Sequence, residues 1–341
     1  VPAAELAGMM SGALLRRGVP EDHAAWVVDG LVEASLRGID THGVRLFPVY
    51  LAELDGGRSR ARPELRWQGD GAAPAALRLL DAGHALGMVA GRVATDEAIR
   101  LARSAGIGAV AVRNSNHFGA ASCYTLEIAR HDMIGLACSN SDALVAPFGG
   151  LAPFFGTNPL SLAAPAAGGD GFCADFATSQ VSYSRLLRQR ELAAPIPAGW
   201  AVTGGGEDAA SAGAEEVVAL LPLGGHKGQC LAMAVEILCC LLAGAPFDHQ
   251  LSHLYAPPFD APRQIAHFIV ALDVSRCGAP TAFRARLSEL HTAVRAQPAA
   301  APAGEVLVPG DPERAAAAER VEGGIPMTDE DWQRFTAAAA P

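Results

Sequence analysis

The stretch Arg113-Asn-Ser-Asn-His-Phe-Gly119 places a histidine where a short apolar run turns polar. An imidazole titrates near neutral pH and can exchange a proton with a reacting group, although a lone histidine can equally do no more than bond a loop carbonyl. A second candidate is Asp40-Thr-His-Gly-Val44, in which Thr41 and His42 precede Arg45. There a guanidinium could hold a substrate carboxylate while the imidazole serves the adjacent carbon. Alternatively, His42 caps a helix and Arg45 pairs with Glu33. A third, Leu223-Gly-Gly-His-Lys-Gly228, opens a long apolar helix. Lys227 and free backbone amides would seat a phosphate there, or the glycines form a plain turn. Phe148-Gly-Gly150 and Gly156-Thr-Asn-Pro-Leu160 are dense in turn formers, and their glycines permit close backbone approach to a ligand. Asp175-Phe-Ala-Thr-Ser179 closes a strand in small hydroxyl residues suited to ribose or phosphate.

These residues need a scaffold, and the periodicity supplies one. Helices are expected over Pro2 to Arg17, from Pro20 to near Gly38, and over Leu46 to Leu54 with a break or kink near Pro48. Arg58 to Gln68 lacks periodicity and reads as a connection. Short apolar runs then predict strands at Ala76–Leu80, Ile107–Val112, Ile134–Ser139, Leu160–Ala164, Phe172–Ala177, Val217–Leu221 and His267–Asp273. Helices are predicted over Gly87–Ala105, after Gly119, through a buried Cys230–Ala245 segment, over Pro280–Ala296 and over Asp311–Ala337. Gln180 to Glu216 is polar and glycine-rich and reads as a mobile loop, and Ala299 to Ala303 as a Pro/Ala turn. The implied organisation is a helical lobe over 1–68, an α/β unit over 69–305, and a segment over 306–341 that returns to the helical lobe.

Composition narrows the function. The chain has 341 residues, 50% of them hydrophobic and 18% charged, so it can bury a sizeable core and wholesale disorder is excluded. A formal net charge of -10 with no basic stripe argues against nucleic acid and anionic membranes as partners and favours a small molecule. Seven cysteines with no Cys-x-x-Cys pair fit reduced thiols in the cytoplasm better than disulfides or a metal site, so no metal is expected. The Gly-x-Gly-x-x-Gly signature of a Rossmann fold and the P-loop are both missing from their required contexts.

Taken in order, the motifs above, together with Ala146-Pro-Phe-Gly-Gly150 and Ile196-Pro-Ala-Gly-Trp200, make the chain resemble the malate/L-lactate dehydrogenase family of the non-Rossmann type. That family includes ureidoglycolate dehydrogenase, sulfolactate dehydrogenase, diketogulonate reductase and piperideine-2-carboxylate reductase, and the resemblance runs from about residue 3 to 335. It implies an α/β fold with a mixed sheet in a non-Rossmann NAD(P)-binding domain, a helical lobe built from both termini, and a homodimer. It also implies NADH or NADPH as cofactor and a small carboxylate-bearing substrate reduced at C2, a 2-oxo acid or cyclic imino acid. The catalytic set carried over is His42 and His117, with Thr41 and Arg45. The cofactor contacts carried over are Ser141, Asp175, Phe176, Ala177, Thr178, Ser179, His226, Lys227, Pro309, Gly310 and Asp311.

Departures from the pattern bear on substrate identity. Thr41 stands where serine is usual, Ser184-Arg185 where Gly-Lys is usual, and Asp311 where glutamate is common. The loop Thr203 to Gly213 has lost the family's Pro-Thr-Thr-Asp-Pro run. Three alternatives follow. One is a nucleotide-binding relative without turnover; another is a tailoring reductase for a larger substrate. The third is a metal-dependent hydrolase using His42, His117 and Asp175, which no metal-ligand spacing supports.

Overall fold

The computed structural model describes residues 1–69, 75–211, 216–300 and 304–340. Helices α1 (Ala3–Arg16), α2 (Glu21–Leu36) and α3 (Phe47–Gly56) come first, with two 3-10 turns, Asp40–His42 and Val44–Leu46, between α2 and α3. Pro48 lies in the first turn of α3 and does not kink it, because a first-turn residue has no intrahelical partner for its N–H to lose.

Strands β1 (Arg66–Trp67), β2 (Leu77–Asp81), β3 (Ile107–Ser115), β4 (Met133–Ser139), β5 (Leu160–Ala166) and β6 (Gly169–Phe176) follow, with α4 (Gly87–Ala105) between β2 and β3 and α5 (Ser122–Arg130) between β3 and β4. The strand β9 (Ile265–Asp273) enters between β3 and β4, so the seven-stranded sheet runs β1-β2-β3-β9-β4-β5-β6. Only β2 and β3 pair in parallel, joined by the α4 crossover that parallel strands require. The remaining pairings are antiparallel, which makes the sheet mixed.

The interior strand β3 is covered on both faces, and its side chains divide with period two. Val110 and Val112 join the main core with Ala94, Ala98 and Ile99 of α4. Ala109 and Ala111 face the opposite way, toward Val235, Cys239 and Cys240. Helices α9 (Asp311–Gly323) and α10 (Asp329–Ala339) return to the N-terminal helices. Phe335 is fully buried against Phe47, ring centroids 5.6 Å apart, in the same core as Leu6, Met10 and Leu31. Burial of that one ring stabilises the junction by roughly 1.5–3 kcal/mol.

Three further expectations change. The segment expected as a mobile loop over 180–216 carries α6 (Tyr183–Glu191) and β7 (Ala201–Thr203), which pairs with β8 (Val217–Leu220) around a small core of Leu186, Ile196 and Leu220. The segment expected as one buried helix is α7 (His226–Glu236) continued by a π-helical turn over Ile237–Leu241, with Met233, Ile237 and Leu241 47%, 53% and 59% exposed. The C-terminal helix is two, divided after Gly324, whose φ of +85° ends α9. α8 (Pro280–Arg295) matches its expected span, whereas the Pro/Ala turn and the altered loop reach partly outside the described residues. Among the described residues no helix is long and apolar enough to cross a membrane.

Candidate active site

Near the end of β3 the ladder is interrupted at Asn114, whose φ is +53°, before Ser115 pairs again with Ile265. Asn116 is fully buried and its amide donates to the carbonyls of Ala85 (3.0 Å), His84 and Arg58 (3.4 Å each), which fixes the path into His117. The start of α4 presses against this turn. A Cβ on Gly87 would lie 2.2 Å from the Asn116 carbonyl oxygen, so glycine is needed there.

From the segment between α2 and α3 comes His42, at the end of a 3-10 turn that Arg320 of α9 clamps by two hydrogen bonds to Asp40, at 2.6 and 3.0 Å. Gly43 lets that turn lie on α2, for a Cβ there would fall 2.0 Å from Ser35 Oγ. The two imidazoles face each other, centroids 5.4 Å apart and planes 24° apart, in a cavity of about 500 Å³.

His117 Nδ1 lies 2.7 Å from the Tyr50 hydroxyl and 3.4 Å from the Gly119 N–H. A backbone N–H can only donate, so Nδ1 is the acceptor and the ring carries its proton on Nε2. Burial holds the His117 pKa well below the ordinary imidazole range, and His42, Arg263 and His267 lower it further. His42 keeps part of its surface open to the cavity but is otherwise enclosed, and this desolvation lowers its pKa, opposed by the nearby Asp175 carboxylate. Its Nδ1 lies 2.8 Å from Thr41 Oγ1. Asp175 closes β6 and accepts the Ser122 N–H at 2.8 Å at the start of α5, where the helix dipole favours a negative charge. Burial raises the Asp175 pKa against those hydrogen bonds and His42.

Beneath this pair lies a third histidine that the motifs did not reveal. His267 of β9 is fully buried, bonded to Ser139 Oγ at 2.9 Å and Ser115 Oγ at 2.8 Å and stacked 4.4 Å from Phe118. Burial pushes its pKa down to about 3. It is a neutral strut that ties β3, β9 and β4 together.

The expected residues divide among locations. Thr41, His42, His117, Ser141, Asp175, Phe176 and Ala177 all line the cavity. Thr178 and Ser179 are buried behind it, Thr178 bonding the Thr157 carbonyl and Ser179 the Val181 carbonyl. His226 and Lys227 are exposed at the start of α7, which adjoins that stretch through a 2.9 Å bond from the Leu223 N–H to the Thr178 carbonyl. Pro309 accepts the Cys173 N–H at 3.2 Å, so its loop flanks β6, and Gly310 follows with φ +100°. The Asp311 carboxylate is engaged by Arg295, Arg314 and the Val308 N–H, and the ion pairs depress its pKa. Glu313 reaches the cavity instead.

Arg45 needs correction. It is 40% exposed, lines no part of the cavity, and pairs with Asp331 of α10 at 3.1 Å, while Glu33 pairs with Arg130. The arginines that line the cavity are Arg37, Arg185 and Arg263. Arg263 is 3% exposed, its Nε donating to the Ser252 carbonyl at 3.0 Å and its Nη2 to Asp142. Tyr50, Arg37 and Arg263 lie outside the motifs: Arg37 and Arg263 line the cavity, and Tyr50 acts through its bond to His117.

A dinucleotide with a small anionic substrate fits these walls. Three guanidiniums face two carboxylates, Asp175 and Glu313, which favours bound anions. The hydroxyls of Ser141 and Thr157, 3.4 Å apart, offer hydrogen bonds at the rim, and a Cβ on Gly156 would fall 2.2 Å from Ser141 Oγ.

Comparison with known proteins bears on this arrangement. A sequence profile described as malate/L-lactate dehydrogenase matches residues 1–336. The chain belongs to the malate/L-lactate dehydrogenase family. Membership makes it an oxidoreductase. It is 37% identical to a malate dehydrogenase of Pyrococcus abyssi over 86% of this chain and 82% of that one. It is 31% identical to the ureidoglycolate dehydrogenase (NAD(+)) of Escherichia coli O157:H7, over 95% and 91%. To the (2R)-3-sulfolactate dehydrogenase (NADP(+)) of Chromohalobacter salexigens it is 34% identical over 76% and 77%. The crystal structure of malate dehydrogenase from Entamoeba histolytica superposes with a TM-score of 0.92 at 26% identity, covering 99% of this chain and 96% of that one. The fold of this family member is therefore the mixed α/β fold of these dehydrogenases.

Proposed function

We propose that the chain is an NAD(P)H-dependent reductase/dehydrogenase acting at C2 of a small 2-oxo acid or cyclic imino acid, with the His42–His117 pair moving the proton. The observation that carries this reading is the meeting of two imidazoles, one from the turn between α2 and α3 and one from just past the end of β3, across one cavity. When bound, the reduced nicotinamide supplies hydride. Ser141 and the Asp175 to Ala177 segment hold the cofactor along the sheet ends, with Lys227 reaching its phosphates from the start of α7.

Two positive imidazoles 5.4 Å apart repel, so the pair takes up one proton and titrates as a unit. Asp175 favours that proton on His42. Tyr50 and Gly119 keep His117 neutral, with its Nε2–H free to polarise the substrate C=O or C=N bond. Arg263 replaces Arg45 as the residue that holds the substrate carboxylate: two of its nitrogens are fixed by the protein, and Nη1 has no partner among the described residues and is not sealed from the cavity. The exposed apolar residues Met233, Ile237 and Leu241 support a homodimer in which a second copy covers them.

The test is loss of NADH and of NADPH, in parallel, against a panel of 2-oxo acids and five- and six-membered cyclic imino acids. Turnover with any member supports the reading and names its cofactor. Cofactor binding with no turnover anywhere on the panel would sink it.

A further inference from the structure

Three side chains with free lone pairs meet away from the cavity. Glu236 ends α7, Cys240 lies in the π-helical turn that continues it, and Asp248 opens a 3-10 turn after Pro246. π-Turns inside helices recur at functional sites. All three residues are buried, Cys240 and Asp248 fully and Glu236 to 7% exposure. One ligand atom from each lies within 4.8 Å of the others.

The hydrogen bonds show which atoms remain available. Glu236 Oε1 accepts the Asp248 N–H at 3.2 Å. Asp248 Oδ2 accepts the Gly156 N–H and the Asn158 amide, each at 2.7 Å. The second oxygens, Glu236 Oε2 and Asp248 Oδ1, are sealed from solvent and receive no N–H or hydroxyl donor among the described residues; the side chains that Glu236 meets are Asp248 and Cys240 themselves. Two buried carboxyl groups that face each other are costly unless a proton or a cation lies between them.

We propose that Glu236, Cys240 and Asp248 form a site for one divalent transition-metal cation of the zinc type, with Glu236 Oε2, Asp248 Oδ1 and Cys240 Sγ as its protein ligands. Two carboxylates and a thiolate suit zinc, whose bonds of about 2.0–2.3 Å set tetrahedral ligand atoms roughly 3.3–3.8 Å apart, inside the 4.8 Å that bounds the three atoms here. The set contains too few oxygens for calcium and includes a soft ligand that magnesium avoids. Without a cation the group survives by keeping protons: burial and the neighbouring Glu236 push Asp248 up to about 8, and burial with Glu236 raises the Cys240 thiol.

The position gives the site a structural role. Asn158, held by Asp248, accepts the Ser141 N–H at 3.2 Å, and Gly156 and Asn158 flank Thr157 in the cavity wall. A cation joining the π-turn to the Asp248 turn therefore stiffens the wall that carries Ser141.

The experiment uses the full chain, stripped of metal and then exposed to Co2+ or Zn2+, and does not depend on activity. Expected are one cobalt per chain retained through gel filtration, a thiolate-to-cobalt charge-transfer band, and a zinc-dependent rise in Tm by mass action. Cys240→Ser should lose the band, and Glu236→Gln should lose retained metal, with circular dichroism confirming that both variants fold. A wild type that retains no more cobalt than Glu236→Gln, with no band, would overturn the site and leave a carboxyl pair sharing a proton.

Discussion

The Tyr50 hydroxyl of α3 lies 2.7 Å from Nδ1 of His117, so a residue of an N-terminal helix sets the tautomer of a residue two positions past the end of β3. Burial raises the Tyr50 pKa well above its ordinary value, so the phenol stays protonated and remains a donor. A donor aimed at Nδ1 stabilises the neutral ring over the imidazolium. Tyr50→Phe should therefore raise the pKa of the histidine pair and move the inflection of the kcat/KM pH profile to higher pH. The loss of one hydrogen bond should cost on the order of tenfold in rate. A shift to lower pH would mean that Tyr50 accepts, not donates.

The histidines themselves separate by variant. Reduction consumes a proton, and burial lowers the pKa values of both rings, so reductive kcat/KM should climb as pH falls below about 6.5, with oxidation favoured above it. Replacing either His42 or His117 by alanine should reduce turnover by roughly 100- to 10,000-fold. Because the two act on one proton, the double variant should lose little more than the worse single one. Additive losses in single-turnover assays would show that they work independently.

The two arginines give opposite expectations. Arg45 pairs with Asp331 at the surface, so Arg45→Ala should leave KM unchanged and cost at most about 1 kcal/mol of stability. Arg263→Lys keeps the charge but not the planar fork, and should raise KM for the acid substrate with a smaller change in kcat. Arg263→Gln should do so more strongly. Equal KM values for the wild type and folded Arg263→Lys, alongside normal wild-type turnover, would remove Arg263 from substrate binding.

Much of this arrangement was legible from local pattern. The helix over Gly87–Ala105 was read to the residue, because its apolar stripe and the Gly106 stop are both local features. The strand before His117 was equally visible, although it runs on to Ser115 through a register shift that alternation cannot signal. Arg263 and Tyr50 were invisible, since their value lies in contacts spanning 121 and 67 residues. Arg45 was misplaced for the mirror-image reason: beside His42 in sequence, it turns outward to an acid on α10 that only tertiary packing brings near. The segment after Gln180 misled because α6 is short and polar, with Leu186 as its one fully buried anchor among the described residues.

His267 should make the fold sensitive to acid. Its pKa falls from an ordinary value near 6.5 to about 3 through burial, so the folded state binds fewer protons than the unfolded state between those values. The stability it contributes is fully present above about pH 6.5 and is lost as pH falls toward 3, at up to ~1.4 kcal/mol per pH unit. His267→Asn keeps a polar group between Ser115 and Ser139 but has no proton to take up. Urea midpoints measured from pH 7 to pH 4 should therefore fall less steeply in the variant, even if it begins less stable. Parallel slopes would assign the acid sensitivity to other groups, with the His42–His117 pair the first to examine, since burial lowers both of those pKa values as well.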